Sequence, residues 1–487
     1  MAAAIPDDYF FLTITELNKK WRAGEFTSLD LTRAWCDRLE KLGPRYNALA
    51  LPLRDRAMKN ARQADKNRKR ELLRGVLQGI PFGAKDLLAV AGQPTTWGAR
   101  PFAGQVFDFD ATVLTKLENA GAILIGKLSM VELAGGGGYR FPSASLQGPG
   151  LNPWDRTRWS GGSSSGSGAA VAAGLVAYAL GSETWGSILN PSAYCGVTGL
   201  RPTYGYVSRH GAMALSWTLD KIGPMCRSAE DCGIVLQAIS GGDGEDPGSA
   251  GKSFYYTPQY TRQISDIRIG YSPIDFNETA EEETRADFNK ALGVFRSMGA
   301  KLVETKLPPL PYGLAAGTII SAEGSSVFET IIQNGRVDQL ADQKQIAGLK
   351  AGLEIKAKDY LKAMRIRRMV QEEMRKLFAE IDVLLSPSVF RVAPKISEPL
   401  DRPAATPGAS VNTPDSRGRG LRDLGAAGNL AGLPALSLPC GFTKGLPIAL
   451  SLVSRPFTEN LILALGVEFQ KRTDWHRRRP LLTEPRP

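Results

Sequence analysis

The sequence predicts an α/β fold, with a mostly parallel or mixed β-sheet and helices packed around it, in one large domain. Three observations predict it. Helical and strand-like segments alternate along the chain, the pattern of sheet strands connected by helices. The 487 residues, 43% hydrophobic and 22% charged, suffice for a large core. No internal repeat is visible, and helical segments fall among sheet segments, which favours one elaborated domain over independent modules.

The elements follow in order. Residues 12–21 and 28–41 carry apolar side chains at helical spacing, with Thr13 and Ser28 as N-caps and Gly43-Pro44 as a stop. A long polar helix covers 54–73. GIPFGAKDLLAV then reads as a short apolar strand and turn. Residues 111–120 are helical and 122–125 a buried strand; 169–174 are helical and 176–180 a strand again. The Gly-, Asp- and Ser-rich stretch 240–258 reads as a surface loop. Strands are expected at 267–271, 301–304 and 383–386, and helices at 281–298 and 359–381. Residues 394–422 hold Pro, Gly, Ser and Arg without periodicity. GLPALSLPCGF and LPIALSLVS read as a strand pair joined by Gly445.

The net charge is +11, from 60 Lys and Arg against 49 Asp and Glu. The excess sits in runs at 66–74, 365–368 and 477–479. None is interleaved with aromatic residues as a base-stacking surface would be, so these are read as solvated faces and no nucleic-acid partner is expected. Cys36, Cys195, Cys226, Cys232 and Cys440 are scattered without CxxC spacing. The odd count, and an acidic first segment MAAAIPDDYFFL unlike a secretion signal, point to reduced thiols and a cytoplasmic protein. No apolar stretch is long enough for a transmembrane helix. With two distant histidines and no paired cysteines, neither a metal nor a cofactor is expected.

WSGGSSSGSGAAVAAG, residues 159–174, resembles a Gly/Ser linker by composition alone. Its neighbours suggest chemistry. Ser187 follows a strand in the Gly-containing turn GSETWGSI, and Lys85 follows the apolar strand of GIPFGAK. A serine hydroxyl needs a base to become a nucleophile. The histidines are poorly placed: His476 lies in the basic tail TDWHRRRP and His210 in SRHGAM. A lysine made neutral by burial can take the role, and Lys85 has apolar neighbours and an adjacent glycine turn.

These motifs carry a resemblance. GGSSSGSGAAVAAG is similar to the signature loop of the amidase signature family, and GSETWGSILNPSA to the turn that follows it there. GIPFGAKDLLAV, GLRPTYGYVSRHG, SWTLDKIGPMCRS and LAGLPALSLPCGF also match that family in order and spacing. The resemblance implies one amidase-signature domain over residues 1–487, an α/β fold with a twisted mixed β-sheet core covered by helices on both faces. Within it, N-terminal helices occupy about 12–73 and the signature core about 75–235. Pocket and lid insertions fall at about 275–380, and core strands with a helix at about 381–487. It implies a Ser–Ser–Lys triad: Lys85 as base, Ser163 as bridging serine after a cis peptide, and Ser187 as the acyl-forming nucleophile. Backbone N–H groups of Thr184, Trp185, Gly186 and Ser187 would form the oxyanion hole, where one donor is typically worth about 3–4 kcal/mol. Ala134, Gly135 and Gly136 would line the substrate pocket, with Trp185 and helices around 318–334.

The chain departs from the family at Trp185, where glycine or aspartate is usual, at Leu189 in place of arginine, at Glu183 in place of aspartate and at Ser165 in place of glycine. None of these removes a proton-transfer group. The changes at Trp185 and Leu189 imply an apolar acyl pocket. The expected activity is hydrolysis of apolar or aryl amides, with carbamates and esters open by the same carbonyl chemistry. The alternative is the glutaminase component of a tRNA-dependent amidotransferase, its A subunit. The partners expected are a small-molecule amide, ester or carbamate and water; a homodimer is allowed.

Overall fold

The computed structural model describes residues 4–401 and 420–482. Most of the 394–422 segment therefore lies outside the described residues. Eleven strands form one sheet: β1 (Leu49–Pro52), β2 (Pro81–Lys85), β3 (Ile123–Leu128), and then, past a separate hairpin of β4 (Leu151–Asn152) and β5 (Asp155–Trp159), β6 (Tyr178–Glu183), β7 (Thr198–Arg201), β8 (Lys221–Cys226), β9 (Arg268–Tyr271), β10 (Lys301–Glu304), β11 (Val383–Pro387), β12 (Ala435–Thr443) and β13 (Leu446–Ser454). Their order across the sheet is β1-β3-β2-β6-β8-β7-β12-β13-β11-β9-β10. The sheet is mixed: β2 pairs in parallel with β3 and β6, whereas β8 runs antiparallel to β6 and β7. Helices cover both faces, so the central strands are buried throughout, as β2, β3, β6 and β8 are.

The boundaries differ from expectation for local reasons. Thr13 does cap the first helix, Ile14–Ala23, in a capping box with Glu16. The second, Ser28–Leu42, is capped by Thr27, not Ser28: the Thr27 side chain accepts from the backbone N–H of Asp30, and Ser28 is the first helical residue. The polar helix stops at Lys69, short of Leu73, because nothing apolar on its last turn finds the core. Leu72 and Leu73 are instead exposed. The signature-loop helix starts earlier than its alanines suggest, at Ser165. β1, β7, β8 and the β4–β5 hairpin lie outside the strands that the sequence pattern predicts. β12 and β13 turn through Lys444 and Gly445, both with positive φ, as a tight two-residue hairpin requires.

Packing around the sheet forms one large apolar cluster, with a second one beside it. The second joins Leu189 and Leu219 to the helices Tyr312–Val327 and Ala357–Glu380 and to Leu424 and Leu430. Leu189 lies just past the predicted nucleophile, so this cluster brings distant helices to the site. No described helix is long and apolar enough to cross a membrane.

Candidate active site

The serine run is bolted to β6 by two of its hydroxyls and braced within itself by a third. Ser164 Oγ donates to the Ser182 carbonyl at 3.2 Å, and Ser167 Oγ to the Leu180 carbonyl at 3.0 Å. Ser160 Oγ donates to the Ser165 carbonyl at 3.2 Å. These are short polar side chains satisfying backbone in a site too tight for larger ones. A Cβ on Gly166 would lie 2.5 Å from the backbone nitrogen of Ser129, and one on Gly161 would lie 2.6 Å from Cα of Pro191. The composition that suggests a linker is that of close backbone packing.

Ser163 is the member of the run that meets Lys85. The Gly162–Ser163 peptide is cis. Lys85, the last residue of β2, is fully buried, and its Nζ lies 2.7 Å from Ser163 Oγ. It also donates to Ser182 Oγ at 3.0 Å. Burial pulls its pKa down to about 7, against the opposing charges of Asp220 and Glu183. A neutral amine is thus available near neutral pH.

Ser187 is buried in the turn between β6 and the helix Leu189–Cys195. The backbone N–H of Ser164 donates to the Ser187 carbonyl at 3.3 Å, so the two serine-bearing segments lie side by side. Asn190 Oδ1 accepts from the N–H of Gly162 at 3.2 Å, a second tie. Lys85, Ser163 and the Ser187 turn are therefore brought together from three separate stretches.

The turn is held from beneath by Glu183, which is fully buried. Its Oε2 accepts from the N–H groups of Ile188 (2.9 Å) and Leu189 (3.0 Å). Its Oε1 accepts from Arg201 Nη1 (2.9 Å) and Asn429 Nδ2 (3.1 Å). Burial alone would raise its pKa; Arg201 and Lys221 outweigh it and hold the carboxyl at about 2. Thr184 Oγ1 donates to Asp220 at 2.5 Å on the other side. Sequence reasoning misses this anchoring network. The signal available is Glu183 itself, an acid inside an otherwise apolar strand.

A cavity of about 450 Å³ opens beside the turn. Gly162, Trp185, Gly186 and Leu189 line it, with Tyr139 and Trp159. Trp185 is 44% exposed, so its indole forms wall and not core. Its edge faces the helix bearing Gly313 and the helix bearing Gly425. Arg391, Arg422 and Asp401 also line this cavity. Ala134, Gly135 and Gly136 are not on its wall. Ala134 lines a second cavity, while Gly135 packs against Tyr139 and Gly136 against Leu215. The two glycines back wall residues instead of presenting surface, because they have no side chain to present. Of the helical region 318–334, no residue lines the first cavity; the approach comes from the start of that helix, at Gly313. His476 is buried, with its pKa lowered to about 4 by burial and then by Arg477, and lies far along the chain at the C-terminal edge. His210 lines the second cavity, not the first.

Comparison with known proteins gives a consistent picture. The family model described as Amidase matches residues 30–463. The A subunit of the glutamyl-tRNA(Gln) amidotransferase from Chloroflexus aggregans is 36% identical over 96% of this chain and 98% of its own. Among solved structures, the peptide amidase of Stenotrophomonas maltophilia matches with a TM-score of 0.83 and 29% identity, covering 98% of this chain and 100% of its own. The corresponding amidotransferase component from Thermotoga maritima matches at 0.78 and 28%, covering 98% of each.

Proposed function

Because this chain belongs to the Amidase family, whose enzymes cleave C–N bonds, we propose that it is a free-standing amide hydrolase acting on substrates with apolar or aryl groups at the scissile carbonyl. Ser187 is the nucleophile, Ser163 the proton relay and Lys85 the base. Neutral Lys85 accepts the Ser163 proton as Ser163 takes that of Ser187, and Ser187 Oγ attacks the carbonyl carbon. Glu183 occupies the N–H groups of Ile188 and Leu189, so Thr184, Trp185, Gly186 and Ser187 supply the donors to the oxyanion. As the C–N bond breaks, Ser163 protonates the leaving amine and recovers its proton from Lys85. Water then hydrolyses the acyl-enzyme by the same relay in reverse.

The observation that carries the apolar preference is Trp185: a half-exposed indole on the cavity wall, within the nucleophile's own turn. Leu189 extends that apolar wall. Carbamates and esters fit the same chemistry. The test is a panel of aliphatic amides, benzamides, anilides, aryl carbamates, esters and glutamine, run against wild type and Ser187→Ala. Faster turnover of the aryl substrates, lost in the variant, is expected; preference for glutamine overturns the reading.

A second reading, glutaminase within an amidotransferase, is favoured by the names of the relatives at 36% identity and by Arg391, Arg422 and Asp401 on the cavity wall. Charges of both signs suit an α-carboxylate and an α-amino group. Under that reading the chain would release ammonia from glutamine for a partner protein. The glutamine arm of the panel separates the two.

A further inference from the structure

The basic run at 66–74 continues a stripe along one face of a helix. The helix Arg54–Lys69 lies on the helix Ser28–Leu42 and on β3, with Ala57, Ala61 and Ala64 buried. Lys59, Arg62, Lys66, Lys69 and Arg70 stand on the opposite face, all exposed. They cover about 17 Å of helix. Among the described residues, no ion pair joins them to a carboxylate. Between Lys59 and Arg74 the acids are Asp65 and Glu71. Asp65 accepts from the N–H groups of Ser28 and Leu29 at 2.7 and 3.0 Å, so its charge is turned inward. The other two basic runs meet backbone or acids. Arg367 donates to the carbonyls of Thr218 and Leu430, and Arg368 lies beside Glu372. Arg477, Arg478 and Arg479 pair with Glu16, Asp474 and Asp8.

The chain leaves this helix through an exposed apolar tip. The N–H of Leu72 donates to the Asn67 carbonyl at 2.9 Å, and that of Glu71 to the Arg68 carbonyl at 3.0 Å, the paired bonds of a left-handed helix cap. Glycine usually takes the left-handed position; here Glu71 holds it, at φ 60°. The apolar residue after such a cap usually folds back on the helix. Leu72 is instead 56% exposed and Leu73 46%, and Arg74 beside them is exposed too. The tip is held on both sides. Arg68 donates to the carbonyls of Trp21 and Phe26, and the N–H of Arg74 to Gln78 Oε1 at 2.6 Å. None of these residues lines either cavity.

We infer that this tip docks the protein on an anionic lipid surface, the basic stripe along the headgroups and Leu72 and Leu73 set into the interface. The inference goes beyond the hydrolase reading and does not depend on it. Two signals act together: lysines and arginines gain from anionic headgroups, and leucines from leaving water. At such a surface one Lys or Arg is worth about fivefold in partition. The leucines decide between a bilayer and a nucleic acid. A phosphate backbone would use the stripe but leave both leucines in water. Residues 54–74 also hold no aromatic side chain on which a base could stack.

Sedimentation of the full chain with lipid vesicles tests the inference. The protein should bind vesicles of phosphatidylcholine and phosphatidylserine in equal parts at least about tenfold tighter than phosphatidylcholine alone. The gap should close in about 0.5 M salt, which screens exposed charge. Leu72→Ser with Leu73→Ser should weaken binding to the mixed vesicles at least about threefold, and Lys66→Gln with Lys69→Gln at least about tenfold. All four positions are exposed, so the circular dichroism should not change. A polarity-sensitive dye on Leu73→Cys reads insertion directly, because the native cysteines are buried. Its emission should shift to the blue on the mixed vesicles. Should a double variant misfold, the dye decides. No binding, equal binding to both kinds of vesicle, a folded double variant that binds like wild type, or an unshifted dye overturns the proposal. So does tighter binding to a double-stranded RNA than to the mixed vesicles, undiminished in the leucine variant, which would make the stripe a nucleic-acid face.

Discussion

Nζ of Lys85 stands 2.7 Å from Oγ of Ser163, with no charged group among the described residues hydrogen-bonded to either. A lysine in that setting works only when neutral. With its pKa drawn down to about 7 by burial, kcat/KM should rise between pH 6 and pH 8 and level off above. Lys85→Ala should lose roughly 10²–10⁴ in kcat with its circular dichroism unchanged. A flat pH profile in the wild type, or a variant with more than about a tenth of the activity, would make the lysine structural.

The same burial has a stability consequence of definite sign. The folded state holds Lys85 at a pKa of about 7, against 10.5 for an ordinary lysine. Between these values the unfolded chain binds the extra proton, so folding becomes more favourable as pH rises through the window. Replacing the lysine with methionine removes the penalty. Lys85→Met should therefore exceed wild type in stability by on the order of a few kcal/mol at pH 6.5, and the gap should shrink by pH 9.5. Urea unfolding at the two pH values measures it; a gap that widens with pH contradicts the assignment.

Glu183→Gln should be costly in two ways. Arg201 and Glu183 are both shielded from solvent, so removing one charge strands the other, and such breaks typically cost about 3–5 kcal/mol. The turn should also loosen, lowering kcat more than it raises KM. Glu183 titrates at about 2, below the ordinary 4.5, so its stabilisation is present above pH 4.5 and lost as pH falls toward 2. The stability difference between wild type and variant should narrow between pH 5 and pH 3. A constant difference would show that charge is not what Glu183 contributes.

Trp185→Gly separates wall from chemistry. The backbone N–H is kept, so the chemical step should survive, while a flat apolar contact worth roughly 0.5–1.5 kcal/mol beyond burial is lost. Substrates with an aryl acyl group should lose severalfold more kcat/KM than a short aliphatic amide measured on the same preparation. Equal losses would mark the indole as a packing residue, and a gain on the aryl substrate would mark it as an obstruction.

Much of the site is legible in the sequence because glycine and serine leave a mark when backbones must touch. Lys85, Ser163 and Ser187 stand out in short motifs whose composition reflects tight packing, and β2 and β6 declare themselves by apolar runs. β7 and β8 do not. Thr198–Arg201 and Lys221–Cys226 carry glycine and proline, have weak strand character, and are held by neighbours on both sides. The anchoring of the turn by Glu183, Arg201 and Asn429 joins residues far apart along the chain. Local pattern carries no trace of that. Gly135 and Gly136 are legible as unusual, but their role as backing for Tyr139 and Leu215 depends on packing partners.

Everything proposed for the site turns on Ser187 carrying the acyl group. An acid quench during turnover of an activated aryl ester or anilide, followed by peptide mass spectrometry, tests it most directly. An acyl adduct on Ser187 is expected, absent from Ser187→Ala and accumulating more slowly in Lys85→Ala. An adduct that persists in Ser187→Ala, or that maps to Ser163, would contradict it.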